Sequence, residues 1–244
     1  MFPPSFSGGV FMKISSLVKE PYTCAVVSLS GDFMGSIDRD KGCLYVGVDR
    51  GTSHLLRSGI IPQIMVGDLD SLSRGDLLKL IGHKGIFWLL SNWDKDYTDG
   101  QRAIEIAHTV GVKKLVVVGI LGREMDHFLG NLALFTMYSH LFEEMIGYTG
   151  NQAIVFMKGK RVFHLPVGMP ISFVPYDDEV VLTLKGVHWE VERRIFRRNA
   201  LPPISNIVRR EDVYVESDGY IWVIIGREDK PFLLKYLQKE GDSL

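Results

Sequence analysis

The pattern of apolar and polar positions changes its period near the middle of the chain. Before about residue 148, short β-branched runs alternate with stretches of helical period. The predicted strands are Cys24–Leu29, Leu44–Val48, Ile64–Val66, Ile86–Leu90 and Leu115–Val118. The predicted helices between them are Thr52–Ser58, Ser73–Ile81, Thr98–Val110 and Asp126–His140. Because strands that are apolar on both faces alternate with helices, this half predicts a mostly parallel sheet with helices on both faces.

After about residue 150 the helical period gives way to short runs typical of β-strands. These are Ala153–Met157, Arg161–His164, Ile171–Val174, Val180–Leu184, His188–Val191, Asp212–Val215 and Tyr220–Ile225. Turn residues separate the runs, among them Lys158-Gly159 and Ser217-Asp218-Gly219. Short strands with regular turn signals predict a β-sandwich or a small barrel. Pro231–Lys239 is predicted as a closing helix.

The expected fold is therefore α/β, with an all-β sandwich domain after the parallel sheet. We expect an extension over residues 1–20, an α/β domain over 21–148 and a β-sandwich domain over 149–244, with the boundary near Gly147–Gly150. A chain of 244 residues is long enough for this. The first residues lack the basic and apolar segments of a signal peptide, and no stretch is apolar enough to span a membrane.

Composition narrows the function classes. The chain has 28 Lys+Arg against 29 Asp+Glu, a net charge of -1, which argues against a nucleic-acid binder. The hydrophobic share of 46% excludes a disordered chain. The two cysteines, Cys24 and Cys43, make neither a disulfide scaffold nor a CxxC metal motif. We therefore expect reduced thiols and a cytoplasmic protein.

Acidic residues follow four consecutive predicted strands. They are Asp49, then Asp68 with Asp70, then Asp94, Asp96 and Asp99, then Asp126, which His127 follows. One aspartate in a loop is usually a turn former or a helix cap. Ligands of open parallel sheets, however, bind beyond the carboxyl ends of the strands. Neighbouring carboxylates repel one another, and a bound Mg²⁺ removes this repulsion. In proteins Mg²⁺ is usually held by carboxylates and substrate phosphates. The placement predicts a magnesium–nucleotide site.

Other chemistries have little support in the sequence. It contains no P-loop, no nucleophile elbow and no HExxH motif, and Gly31–Gly35 is a poor dinucleotide-binding match. Among the histidines, only His127 is assigned to the site. The others considered are expected to lie on the surface or to pack on helices: His54, His83, His108 and His140.

These motifs together resemble the thiamine pyrophosphokinase family over roughly residues 24–226. A single motif such as Gly67–Ser71 would be weak, but several occur in the family's order. They are Tyr45–Leu55, Gly59–Pro62, Val66–Ser71, Lys95–Asp99, Gly119–His127 with Asn131, Ile171–Pro175, Gly186–Trp189 and Ser205-Asn206.

The resemblance implies transfer of a pyrophosphoryl group from ATP to the thiamine hydroxyl, giving thiamine diphosphate and AMP. It also implies a requirement for Mg²⁺ and a homodimer with active sites between subunits, without nucleic-acid or membrane partners. The catalytic residues carried over by position are Asp70, Asp96, Asp99 and Asp126, and the metal ligands are Asp68, Asp70 and Asp99. The expected nucleotide contacts are Asp49, Lys95, Thr98, Arg123 and His127, and the thiamine contacts are Ser205 and Asn206. Either Asp96 or Asp99 would orient the hydroxyl or accept its proton.

The chain departs from the family pattern in its phosphate-binding loops. Arg50 stands where the family often has a small residue. Glu124 takes the place of a family arginine, and Arg123 precedes it. Either the loop shifts so that Arg123 contacts the phosphates, or phosphate stabilisation is weaker.

A second departure concerns the aromatic residue that commonly follows the Ser-Asn pair. Here Ile207 and Val208 follow it. Trp222, Tyr214 and Trp189 are the alternatives for stacking on thiamine, although such residues are more often core. These departures keep two other functions open: a non-catalytic nucleotide or thiamine sensor, and a pyrophosphokinase for another alcohol such as a pterin. The arginine run Arg193–Arg198 is expected as a solvated strand face or loop.

Overall fold

The computed structural model describes residues 22–90, 96–122 and 124–226. The predicted extension over residues 1–20 and the predicted helix Pro231–Lys239 lie outside the described residues. The chain divides into two compact units, Met1–Met145 and Ile146–Leu244.

The first unit is built on a parallel sheet. Its strands are β1 (Cys24–Ser28), β2 (Cys43–Val48), β3 (Ile64–Gly67), β4 (Phe87–Leu90) and β5 (Lys114–Val118). They lie in the order β5-β1-β2-β3-β4, with every pairing parallel. The helices are α1 (Thr52–Arg57), α2 (Arg74–Ile81), α3 (Asp99–Thr109) and α4 (Met125–Tyr138). The predicted parallel α/β class is confirmed.

The helix starts follow from local capping chemistry. The hydroxyl oxygen of Thr98 accepts a hydrogen bond from the backbone N–H of Gln101 at 3.0 Å, and that of Ser73 accepts one from Asp76 at 3.1 Å. Each bond satisfies a donor that the first helical turn leaves unpaired. Helix α3 then buries Ala103 and Ile104. Since α3 begins at Asp99, its cap places the first residue of this helix at the carboxyl ends of the strands.

Glycines allow the loops after β1 and β5 to touch. The N–H of Gly31 donates to the carbonyl of Gly119 at 3.1 Å. A Cβ on Gly31 would lie 2.3 Å from that oxygen, and a Cβ on Gly119, whose φ is 69°, would lie 2.2 Å from the carbonyl of Leu29. Larger residues would force these loops apart.

The two cysteines are joined. Cys24 on β1 and Cys43 on β2 are direct register partners with Cα atoms 4.6 Å apart, and they form a disulfide. The expectation of reduced thiols is therefore wrong for this structure. The reason is the parallel register of β1 and β2, a long-range pairing that a count of cysteines does not contain.

The second unit is made of antiparallel strands. They are β6 (Glu144–Tyr148), which begins two residues before the boundary, and then β7 (Gln152–His164), β8 (Pro170–Pro175), β9 (Glu179–Lys185), β10 (Val191–Arg197), β11 (Asn206–Ile207) and β12 (Asp212–Gly226). Strand β7 pairs with β6 and β12, and β9 pairs with β10. The first half of β12 pairs with β9 and its second half with β8, whose other neighbour is β11. The predicted strand-rich second half is confirmed.

Two predicted turns in this unit are wrong. Lys158-Gly159 lies inside β7, and Ser217-Asp218-Gly219 lies inside β12. Gly159 has a φ of 91° without breaking its strand, and the β12–β7 register shifts between Ser217 and Ile221. Both glycine segments therefore lie within continuous strands, with the register shift of a β-bulge on β12, and do not reverse the chain.

The predicted strand His188–Val191 is also wrong, because β10 begins only at Val191. Strand β10 pairs with β9, and most of its residues are exposed. Arg197 and Arg198 on this surface pair with Glu179 and Asp178. The prediction that the arginine run is a solvated strand face or loop is confirmed. Among the described residues, no helix is long and apolar enough to cross a bilayer.

Candidate functional site

A cleft of about 770 Å³ opens in the first unit at the carboxyl ends of the parallel strands. Loops after β1, β2 and β3 and the starts of α3 and α4 form its wall. The predicted site residues that line it are Asp49, Thr98, Asp99, Asp126 and His127. The strand-end rule thus identified Asp49, Asp99, Asp126 and His127, which the fold brings together, whereas Thr98 came from the family resemblance.

Other predicted residues lie elsewhere. Asp68 and Asp70 are exposed beside the cleft, in the loop whose Ser71 lines it. The N–H of Asp70 donates to the carboxylate of Asp68 at 3.2 Å. Asp96 is exposed and does not line the cleft. The predicted contacts Lys95 and Arg123, together with Asp94, lie outside the described residues.

Asp49 fastens two loops of the cleft to each other. Its carboxylate accepts a hydrogen bond from the N–H of Leu69 at 3.2 Å, and the N–H of Arg50 donates to the hydroxyl of Ser71 at 3.0 Å. Gly67 passes so close that a Cβ there would lie 1.6 Å from an oxygen of Asp49. The loops after β2 and β3 are therefore held as one surface.

Arg50 puts a cation on the cleft wall. Its guanidinium pairs with Asp32 at 3.0 Å, with side chains 28% and 55% exposed. An ion pair this open to water contributes at most about 1 kcal/mol. A bound anion can therefore compete with Asp32 for Arg50 at low cost.

His54 supports the wall from beneath. It is buried, and its Nε2 lies 2.7 Å from the carbonyl oxygen of Gly31, which lines the cleft. Since a carbonyl only accepts, Nε2 carries the proton, and Nδ1 accepts from Arg57. Burial lowers the pKa of His54, and the charge of Arg57 lowers this pKa further, against the opposing effect of the Gly31 bond. The prediction that His54 is a packing residue rather than a ligand agrees with its burial.

The start of α4 gathers possible cation ligands. The side-chain ligand atoms of Glu124, Asp126 and His127 lie within 4.8 Å of one another, and all three residues are exposed. The N–H of His127 donates to the carboxylate of Asp126 at 2.7 Å. Carboxylate and imidazole ligands suit a divalent cation. The loop with Asp68 and Asp70 offers a second, purely oxygen-based set.

Several residues of the cleft do not follow from the acidic pattern of the sequence. Ser30 and Tyr97 line the cleft, as does Asn131, which entered only through the family resemblance. The hydroxyl of Ser30 donates a hydrogen bond to the carbonyl of Val48 at 3.1 Å. The side-chain amide of Asn131 donates one to the carbonyl of Ile120 at 3.1 Å. The sequence feature that could have identified Ser30 is its position directly after a buried strand.

In the second unit, Ser205 and Asn206 have different environments. Asn206 is 1% exposed. Its amide oxygen accepts from the N–H groups of Trp189 and Ile207 at 3.0 and 2.9 Å, and its amide nitrogen donates to the carbonyl of Trp189 at 3.1 Å. Ser205 is exposed, with a φ of 58°. The geometry favours Asn206 as the residue that holds Trp189 rather than as a direct ligand contact, because its side chain is buried and its amide oxygen already accepts two hydrogen bonds.

The three aromatic candidates also differ. The ring of Trp222 packs 4.6 Å from that of Phe156, and the hydroxyl of Tyr214 donates to Glu216 at 2.8 Å. Trp189 is 58% exposed, with its ring centroid 5.0 Å from that of His188. Trp189 therefore offers the most accessible ring for stacking.

Comparison with known families agrees with the division of the chain into two units. A family model described as the thiamin pyrophosphokinase catalytic domain matches residues 39–146. A second, described as the thiamin pyrophosphokinase vitamin B1 binding domain, matches residues 163–222. Together the two matches cover more than half of the chain.

Individual relatives carry the same name. The chain is 35% identical over 95 residues to thiamine pyrophosphokinase of Bacillus subtilis, an alignment that covers 39% of this chain and 44% of that protein. It is 26% identical over 189 residues to thiamine pyrophosphokinase 1 of Arabidopsis thaliana, covering 69% of this chain and 67% of that protein. The alignment thus spans less than half of the length of the Bacillus relative.

Solved structures show the same fold. The crystal structure of thiamine pyrophosphokinase from Bacillus subtilis matches with a TM-score of 0.74 at 23% identity, covering 84% of this chain and 99% of that one. Thiamin pyrophosphokinase from Candida albicans matches with a TM-score of 0.67 at 15% identity, covering 93% and 95%.

Proposed function

The chain belongs to the thiamine pyrophosphokinase family, and from this premise we propose that it transfers a pyrophosphoryl group from ATP to the hydroxyl of thiamine, with thiamine diphosphate and AMP as products. The observation that carries the proposal is the cleft lined by Asp49, Asp99 and Asp126 within the catalytic-domain match. A vitamin B1 binding match follows on the same chain.

We propose that the cleft binds the phosphates of ATP. The backbone at Ser30 and Gly31, the start of α4 and the cation of Arg50 all face this space. Helix starts attract phosphates because their N–H groups are unpaired. His127 and Thr98 are the further proposed contacts, with Lys95 and Arg123 retained from the resemblance.

The proposed ligands of Mg²⁺ are Asp68, Asp70 and Asp99. The exposed oxygen donors of Asp68 and Asp70 fit a hard divalent cation. When bound, the cation would neutralise charge on the transferring group. The protein's own task is then mostly positioning, as in other phosphoryl-type transfers.

For the acid–base role we propose Asp99 in preference to Asp96. Asp99 lines the cleft and Asp96 does not. The carboxylate of Asp99 would orient the thiamine hydroxyl and accept its proton as the oxygen attacks the β-phosphorus. Asp126 would complete the set of catalytic carboxylates.

For thiamine we propose Ser205 and the exposed face of Trp189 in the second unit. A cationic thiazolium is attracted to an aromatic face, most strongly to that of tryptophan. In this proposal Asn206 contributes by fixing the backbone of Trp189.

We also propose a homodimer with active sites between subunits, as the resemblance implies, in the cytoplasm. Support comes from exposed apolar side chains, which mark interaction surfaces when they cluster. On α4, Met125, Leu129 and Met137 recur at multiples of four residues and are 71%, 57% and 48% exposed. The second unit exposes Trp189 and Leu201.

One observation favours a second candidate, a sensor that binds without turnover: Glu124 puts a further negative charge on the cleft wall. The test is to mix the protein with ATP, Mg²⁺ and thiamine and to measure both adenine nucleotides. Thiamine-dependent AMP supports the pyrophosphokinase, whereas ADP contradicts it. Thiamine binding by calorimetry without AMP supports the sensor. AMP formation only with another alcohol, such as a pterin, would change the substrate.

A further inference from the structure

A cluster of sulfur and oxygen groups lies at the amino ends of β1 and β2, the opposite ends of these strands from the cleft. It consists of Cys24, Asp40 and Cys43, whose side-chain ligand atoms all lie within 4.8 Å of one another. Cys24 is half-buried, Cys43 is buried and Asp40 is exposed. None of the three lines the cleft, and the proposed reaction gives them no role.

The turn Asp40-Lys41-Gly42-Cys43 brings two of these groups to one side. The N–H of Gly42 donates to the carboxylate of Asp40 at 2.8 Å, and the N–H of Cys43 donates to the carbonyl of Asp40 at 3.3 Å. Ligands three residues apart across a glycine-containing turn can reach one metal ion, as in short-spaced zinc motifs. Cys24 then approaches from the neighbouring strand, because it is the register partner of Cys43.

A second layer of contacts fixes the position of Asp40. Its N–H donates to the hydroxyl oxygen of Tyr45 at 2.7 Å, and that hydroxyl donates to the carbonyl of Asp38 at 3.0 Å. Tyr45 is 3% exposed, so its hydroxyl is a fixed point of the core against which Asp40 is held. Outer contacts of this kind orient the ligands of metal sites.

We propose that in the reduced protein Cys24, Asp40 and Cys43 bind a thiophilic divalent cation of the zinc class. A dithiol or phosphine reductant supplies two electrons and solvent supplies two protons, so that the disulfide becomes two thiols. The cation then displaces both thiol protons to solvent and is held by two thiolates and the carboxylate, with water as the fourth ligand. The disulfide and the cation exclude each other, because both states use the same sulfur atoms.

The carboxylate is the reason to infer a cation as well as a redox pair. A redox pair needs only the two sulfur atoms, whereas a carboxylate oxygen within 4.8 Å of both supplies a third ligand atom for a divalent cation. Two sulfur ligands also select zinc-class ions over Mg²⁺, which prefers oxygen.

Cobalt(II), which reports thiolate ligation by a charge-transfer absorption band, tests the proposal in the full chain reduced with a phosphine. We expect one band that saturates at one cobalt per chain, disappears on addition of Zn²⁺ and is absent from Cys24→Ser and Cys43→Ser. Asp40→Asn should weaken cobalt binding about tenfold or more, whereas the matched variant Asp38→Asn should bind as the parent does. Cobalt at the cleft carboxylates gives no such band, so the result is independent of the proposed function.

Three results would overturn the metal site. They are a reduced, folded protein whose thiols titrate freely in excess cobalt, a band that persists in Cys24→Ser, or a disulfide that the reductant leaves intact in the folded chain. Circular dichroism serves as the folding control. If the serine variants do not fold, the comparison of Asp40→Asn with Asp38→Asn still tests the metal site, because both variants keep both cysteines.

Discussion

The carboxylate of Asp49 accepts a hydrogen bond from the backbone N–H of Leu69 at 3.2 Å, and both residues have left-handed backbone conformations, with φ of 43° and 66°. Such conformations cost an L-residue roughly 1–2 kcal/mol each. Their occurrence on either side of one hydrogen bond shows that the loops after β2 and β3 are held against local preference. The arrangement depends on the space left by Gly67.

Replacing Gly67 by alanine should therefore destabilise the first unit. A Cβ would lie 1.6 Å from an oxygen of Asp49, and the φ of 132° is unfavourable for alanine. We expect a loss of about 2–4 kcal/mol in the free energy of unfolding, measured with urea. Gly59→Ala, at φ 72° in open space, is the matched control and should lose only about 1 kcal/mol. Equal losses in the two variants would mean that Asp49 does not restrict this position.

Asp99→Asn should lower the rate of AMP formation by roughly 10²–10⁴ through loss of acid–base catalysis. The loss in the free energy of unfolding should stay below about 1 kcal/mol, which is what a negative charge in the first turn of a helix such as α3 contributes. Steady-state kinetics and thermal unfolding measure the two effects. Glu143→Gln, at a carboxylate 66% exposed and 3.8 Å from Lys113, controls for general charge loss. A near-normal rate in Asp99→Asn would remove this residue from the mechanism.

His54 should make the first unit sensitive to acid. Because its pKa in the folded chain lies below the ordinary value of about 6.5, the unfolded chain binds the proton first as pH falls. The stability that the neutral imidazole contributes is thus complete above about pH 6.5 and is lost as pH falls through the lowered pKa, with a slope of at most about 1.4 kcal/mol per pH unit.

Urea unfolding at several pH values checks this prediction. His54→Gln, which does not titrate and keeps a donor for Gly31, should flatten the slope, whereas His83→Gln at an exposed site should not. An unchanged slope in His54→Gln would assign the acid sensitivity to other groups.

Asn206→Ala should destabilise the second unit by about 2–4 kcal/mol. The variant loses three hydrogen bonds and leaves the N–H and the carbonyl of Trp189 without these partners. The KM for thiamine should rise while that for ATP stays constant, because only the Trp189 segment is released. Asn206→Asp keeps the acceptor but loses the donor to Trp189 and buries a charge against that carbonyl, so it should lose at least as much stability. If the KM values for both substrates rise together, Asn206 acts on the whole protein instead.

Leu129→Glu should convert the proposed dimer to a monomer, since it places a charge among the exposed apolar residues of α4. Light scattering after size-exclusion chromatography measures the mass. Leu78→Glu is the matched control, because Leu78 on α2 is 65% exposed but lies outside this group. A parent protein that is already monomeric, or a Leu129→Glu dimer, would exclude α4 from the interface.

The parts of the fold that follow from local chemistry could be predicted. Strand β2 is buried at all six positions, so its run is apolar on both faces, and Thr98 caps α3 as its hydroxyl suggested. Asp49 and Asp126 were found because parallel strands bring their carboxyl ends to one edge. The rest depends on partners distant in sequence. Asn206 turns inward toward a residue 17 positions away, and the Cys24–Cys43 pair depends on strand register. Neither relationship is encoded in a local window.

The continuity of β7 and β12 determines how the second unit must fold. These strands meet along their whole length, from the contact between Gln152 and Gly226, separated by 74 positions, to that between His164 and Asp212, separated by 48. Such a pairing has high contact order, because a long loop must close before the first bond stabilises it. We therefore expect slow formation of the second unit, as a single cooperative step. During synthesis the strand edges of the second unit would therefore stay unpaired until the last residues of β12 are made. By then the first unit has already left the ribosome.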